Sequence, residues 1–301
     1  MTLFAGKALA DVAINEILYH PSNVAVQPGE DAEDLQFIEL YNNGPTAVNL
    51  SGASFSSGVV YTFPAGTTLA AGEFAVVVRS TAFMTLRGPA IPVGTKVFQW
   101  TSGDLANGGE LIQLVDATAT LIDEVTFDDA GLWPAAADGA GSSLELINPA
   151  YDSSYPLSWR ASSAVNGTPG ARNGRYTEGP VVMLDAPARG SVIAALPTVS
   201  VTFAESVTGV VAGNLVVGGS AATSVVCSSC VGGAGAGPWV FSGFAVPTAN
   251  PMTVTLSSGA IRDSQSNLFA GDTWLYFLSV PKIVINELHY NPASATDVEE
   301  F

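Results

Sequence analysis

Histidine and cysteine are nearly absent from this chain, with two of each in 301 residues. The histidines are His20 and His289. A Ser-His-Asp relay within the first half would have to use His20, and no Gly-x-Ser-x-Gly elbow accompanies it. Zinc sites draw on three or four His and Cys ligands, more than any one region here holds. Basic residues are equally sparse. Lys and Arg total 10 against 27 Asp and Glu, a formal net charge of -17. Gripping phosphates requires a basic face, so nucleic acid and anionic membrane are poor partners. No apolar run approaches the roughly 18 residues that span a bilayer, so no membrane insertion is expected. No glycine-rich loop leads from a strand into a helix, which removes the usual nucleotide cradle.

What the chain has is short apolar runs separated by Gly and Pro. It is 48% hydrophobic, enough to bury real cores, with 31 Gly and 18 Pro. The runs Val12–Tyr19, Phe37–Tyr41, Val59–Phe63, Phe74–Val78, Leu111–Val115 and Leu121–Phe127 read as strands. Turn signals such as Asn42-Asn-Gly-Pro45 and Pro64-Ala-Gly66 divide them. Thr81–Arg87 alone reads as a short helix. A second series follows at Thr198–Phe203, Leu215–Val217, Trp239–Phe244, Met252–Leu256 and Trp274–Leu278. Strands at this spacing without helical crossovers predict an all-β chain of two sandwiches in tandem.

An internal repeat sets the organisation. Val12-Ala-Ile-Asn-Glu-Ile-Leu-Tyr-His-Pro21 recurs as Ile283-Val-Ile-Asn-Glu-Leu-His-Tyr-Asn-Pro292, so one module starts again near the C-terminus. Asn291 stands where the first copy has His20, so the motif does not require histidine there. The expected division is 1–10, 11–175, 176–280 and 281–301. Ala8-Leu9-Ala10 has the form of a signal-peptidase site, which makes residues 1–10 either a leader remnant or a plain N-terminus. The last piece is an incomplete strand segment. A lone strand cannot bury its apolar face, so further domains beyond Phe301 are expected.

The first unit resembles the lamin-tail domain of bacterial extracellular proteins. The residues that carry the likeness run in order: Ile14-Asn-Glu-Ile17, Phe37-Ile-Glu-Leu-Tyr-Asn42, Val48-Asn-Leu-Ser-Gly52, Asp123-Glu-Val-Thr-Phe-Asp128, Ser143-Leu-Glu-Leu-Ile147, Trp159-Arg160 and Gly167-Thr-Pro-Gly170. Ala53 departs from the aromatic that often follows the Leu-Ser-Gly turn. The resemblance implies an Ig-like β-sandwich without a catalytic site. Residues 176–280 are similar to bacterial Ig-like domains of surface-layer and adhesin type, on Val199-Ser-Val-Thr-Phe203, Ser206-Val-Thr-Gly209 and Gly259-Ala-Ile261. Residues 281–301 resemble the opening of a second lamin-tail domain.

Five groups remain as candidate sites. Glu30, Asp31, Glu33 and Asp34 form an acidic loop, read either as solvated charge or as a calcium site. Asp263-x-Gln265-x-Asn267 also alternates oxygen side chains but lacks the glycine of an EF-hand, and reads as a turn. Glu16 and Glu39 interrupt apolar strands. Facing outward they would be solvated; facing inward they need donors, with Arg160 one candidate in a structural polar network. On that reading Glu16→Gln destabilises the unit. Cys227-Ser-Ser-Cys230 is either a small loop disulfide or a pair of idle thiols. The five tryptophans read as core anchors, with Trp133 and Trp159 in loop-like sequence as the alternative platforms for a glycan.

The expected function is therefore a non-catalytic adhesion, display or spacer element of a secreted or cell-surface modular protein, with a protein or glycan ligand. The alternatives are a targeting module of a larger secreted hydrolase and a carbohydrate-binding module.

Overall fold

A computed structural model describes residues 11–23, 27–196, 198–245 and 249–279. The expected leader remnant 1–10 and the repeat at 281–301 lie outside the described residues. The first unit holds twelve strands: β1 (Val12–Leu18), β2 (Phe37–Asn42), β3 (Val48–Asn49), β4 (Ser54–Ser57), β5 (Tyr61–Thr62), β6 (Thr68–Leu69), β7 (Phe74–Val78), β8 (Lys96–Gln99), β9 (Gly109–Val115), β10 (Leu121–Asp128), β11 (Leu144–Leu146) and β12 (Trp159–Ala161). One helix, α1 (Thr81–Arg87), lies between β7 and β8. Ser80 caps it by accepting the Phe83 amide, and Gly88 follows its last turn.

A six-stranded sheet in the order β12-β11-β1-β2-β7-β8 faces a four-stranded sheet in the order β10-β9-β4-β5. Between them lies one core that includes Ile14, Ile17, Ile38, Leu40, Phe63, Ile112, Leu114, Val125, Phe127 and Trp159. The sheets are also tied by a polar contact, in which the Ile14 amide donates to Asp123 Oδ2 (2.8 Å).

The six-stranded sheet is covered on its outer face as well. All seven residues of β1 are buried, which a half-exposed strand would not show. At one end of that face Leu18, Phe37, Val76 and Val78 pack under Met84 of α1 and Leu35. Further along, the chain after β12 folds back across β1 and β11. Asn173 Nδ2 donates to Asn15 O and Leu146 O (2.9 and 2.8 Å), and the Thr177 amide donates to Ile147 O (2.8 Å).

The second unit is simpler. Its strands are β13 (Val182–Ala186), β14 (Val192–Ile193), β15 (Thr198–Phe203), β16 (Leu215–Val217), β17 (Ser220–Ala221), β18 (Ser224–Val226), β19 (Trp239–Ser242), β20 (Met252–Leu256) and β21 (Asp272–Leu278). They form two sheets, β13-β15-β19-β18 and β14-β21-β20-β16-β17. Alternation is clean: Val199, Val201 and Phe203 are buried between less buried Thr and Ser, and Met252, Val254 and Leu256 repeat the pattern. Ile147, Tyr151 and Met183 join the two units in a small apolar cluster, and the Tyr151 hydroxyl donates to Gly179 O (3.0 Å).

Candidate functional site

The most unusual chemistry lies on the covered outer face. Ile14 and Ile17 both point into the core, three residues apart, where strict alternation would separate them. A β-bulge between Ile14 and Glu16 accounts for this. It leaves Asn15 and Glu16 on the same side, away from the core. Glu16 then stands in register with Glu39 on β2 and with Glu145 on β11. Three carboxylates thus lie side by side across adjacent strands, each fully buried.

Like charges directly opposite each other destabilise a sheet, and buried carboxylates need donors. A strap running from Gly167 to Arg175 supplies them from its backbone. The Thr168 amide donates to Glu16 Oε1 (2.8 Å), the Gly170 amide to Glu39 Oε2 (2.5 Å) and the Arg175 amide to Glu145 Oε2 (2.7 Å). Side chains add to this. Ser143 Oγ donates to Glu16 Oε1 (2.5 Å), Asn15 Nδ2 to Glu39 Oε1 (2.7 Å), and Thr168 Oγ1 lies 3.3 Å from Glu16 Oε2 and 3.2 Å from Glu145 Oε1. Burial dominates the titration of Glu16 and pushes its carboxyl up to about 8, against the pull of Ser143 and Thr168 and with the push of Glu145. Burial and then the neighbouring Glu16 likewise hold Glu39 well above the usual carboxylate range.

Arg160 is not part of this network. It is the register partner of Glu145 on β12, but its Nη1 donates to the carbonyls of Leu157 and Trp159, both at 2.8 Å. The strap already occupies the carboxylates from the solvent side with neutral donors, so the guanidinium is turned to its own backbone. Asn15, Ser143, Glu145, Thr168 and Asn173 are the members that sequence reasoning missed.

Arginines pair with three of the four carboxylates of the acidic loop. Glu30 takes a two-pronged bond from Arg87 (3.0 Å to each oxygen), which lowers its carboxyl below the ordinary range. Arg79 reaches Asp31 (3.1 Å), Asp34 (3.7 Å) and Asp104 (2.7 Å). Glu33 accepts from Gln36 and Asn107 (2.6 and 3.1 Å). Among the described residues no group of three or more His, Cys, Asp or Glu could hold a metal ion. Asp263 closes a turn, accepting the Gln265 and Asn267 amides on Oδ1 (2.9 and 2.8 Å). His20 Nδ1 pairs with Asp138 Oδ1 (2.6 Å), outside the carboxylate row.

Four of the five tryptophans are core residues. Trp100, Trp159, Trp239 and Trp274 are buried. Trp133 packs against the core with its ring 6.2 Å from that of Trp159. Cys227 and Cys230 form a disulfide with Cα atoms 5.4 Å apart. So short a loop constrains the unfolded chain little, by about 2 kcal/mol or less. Replacing both with serine is expected to lower calorimetric melting of the second unit by about 10 °C or less, and loss of its whole transition would contradict this.

Residues 5–129 match the Lamin Tail Domain family. No curated protein matches the chain. The matched span of the lamin-tail domain contains Asn15, Glu16 and Glu39 but ends before β11. Glu145, Ser143 and the strap therefore complete the face from residues C-terminal to the match.

Proposed function

We propose that the chain is a non-catalytic interaction and spacing element of a secreted or cell-surface modular protein, with an adhesion or display role. One observation carries the reading: each of the three buried carboxylates receives a backbone N–H from a single strap. Groups that in a cleft could serve acid/base chemistry are here spent on fastening a loop to a sheet. The lamin-tail match, an Ig-like fold, supports it. The Cys227–Cys230 disulfide supports an oxidising compartment, and the net charge of -17 suits a soluble display surface. The bacterial origin and the Ig-like kinship of the second unit belong to the same proposal.

Purified chain is expected to give no turnover above buffer of p-nitrophenyl esters, glycosides and phosphates or of casein. Pulled from its ends, it is expected to unfold as two sandwiches in separate steps, each releasing about 3.5 Å per residue. Turnover that disappears in Glu16→Gln or Glu39→Gln, or a single merged step, would overturn the reading.

A further inference from the structure

The outer face of the six-stranded sheet is covered unevenly. Helix α1 covers the row at Phe37 and Val78, and the strap covers the row at Glu16 and Glu39. The next row on the same face pairs Tyr41 of β2 with Phe74 of β7. There the cover stops, and both rings are only half-buried. Their centroids lie 4.6 Å apart with the planes tilted by 34°. They line a cavity of about 310 Å³ together with Tyr176, Asn43, Asn173 and Arg172.

We infer that this open end of the face binds a neutral saccharide, an inference that rests on the interaction-element reading above and gives it a ligand class. Rings offer flat apolar surface to the C–H faces of a sugar, and amides offer both donors and acceptors to its hydroxyls. Asn43 is exposed at the mouth of the cavity, where its side-chain amide can reach a ligand. Asn173 is held firmly by Asn15 O and Leu146 O, which fixes one wall.

Charge argues for neutrality. Arg172 is the charged residue of the lining, and it is already paired with Glu178 (2.7 Å) while lying 3.5 Å over the Tyr176 ring. An anionic ligand would meet a neutralised cation inside a chain of net charge -17. A peptide adding as a strand is disfavoured too, because β2 is hydrogen-bonded on both sides, to β1 and β7, and presents no edge. The size falls at the lower end of small-molecule sites, roughly 300–1,000 Å³, and suits a short stretch of a glycan.

The test is calorimetric titration of the full chain with four neutral probes: cellohexaose, xylohexaose, mannohexaose and chitohexaose in its fully acetylated form. One of them is expected to bind with one-to-one stoichiometry. Asn43→Ala should weaken it up to about tenfold, the worth of one hydrogen bond. Tyr41→Ala should weaken it further. Because Tyr41→Ala risks disturbing the sheet, the exposed double variant Asn43→Ala/Arg172→Ala, checked for an unchanged melting temperature, carries the decision. No binding of any probe at millimolar concentration, or binding unchanged in the double variant, overturns the inference and leaves the interaction-element reading standing. Shortened sugars in the same samples would instead overturn the non-catalytic reading while supporting the site.

Discussion

Gly167→Ala is expected to cost about 3–5 kcal/mol, by the combined penalties of a left-handed alanine and a forced contact. Gly167 has φ +81°, and a Cβ built there would lie 2.1 Å from Glu16 Oε1 and 2.7 Å from Ser143 Oγ. Neither neighbour can withdraw easily. Glu16 is walled in by β2 and β11, and Ser143 Oγ is committed to it. The strap must therefore lift, which also breaks the Thr168 amide bond to Glu16. Gly66 provides the control, since it has φ +83° but nothing within 4 Å of the added Cβ. Gly66→Ala should cost only the backbone penalty, about 1 kcal/mol. For a unit of this size, melting should fall by about 10 °C in Gly167→Ala and by about 3 °C in Gly66→Ala. Equal shifts in the two variants would show that the strap is not packed as described.

How much of this was legible follows from which groups carry letters. Strand runs and α1 could be read because period and capping are side-chain properties. The two-residue strands β3 and β6 could not, because two residues show no period. Glu16 and Glu39 stood out as charges inside apolar runs. Glu145 carries the same signal in Leu144-Glu-Leu146, but in a strand of three residues. Asn15 was also signalled, since the repeat at Ile285-Asn-Glu keeps both polar residues together. Its role needed the bulge, which breaks alternation in a way the letters do not announce. The three strap donors are backbone N–H groups, available from nearly any residue, so no pattern points to them. That is why Arg160 seemed the natural partner: it is the cation in the same row. The partners of the acidic loop were hidden for a related reason. Its arginine partners lie 48 and 57 residues away in sequence, beyond anything spacing can show.

Glu16→Gln is expected to act in the opposite direction from the loss of stability that the sequence suggested, and in a pH-dependent way. The carboxyl of Glu16, ordinarily near 4.5, is pushed up to about 8 in the folded protein. Between these two values the folded state holds a proton that the unfolded state has released. Stability must then fall as pH rises through that window, by up to about 1.4 kcal/mol per pH unit for one proton, and level off above it. Below about pH 4.5 both states are protonated and this cost vanishes. Glutamine mimics the protonated acid. It keeps an oxygen for Ser143 and the Thr168 amide, and its Nε2 can donate to Thr168 Oγ1. At pH 5 the variant should lie within about 1 kcal/mol of the parent. At pH 9 it should be the more stable protein by an amount on the order of a few kcal/mol. Glu39, raised in the same direction, should leave a residual slope. Glu16→Leu separates charge from bonding, because it strands the Ser143 hydroxyl and the Thr168 amide without an acceptor and should lie below Glu16→Gln at every pH by about 2–4 kcal/mol. Melting temperature measured from pH 5 to pH 9 distinguishes the cases: converging curves for parent and Glu16→Gln at low pH and divergence at high pH are expected, and parallel curves would mean that Glu16 is charged throughout and the strap holds an anion.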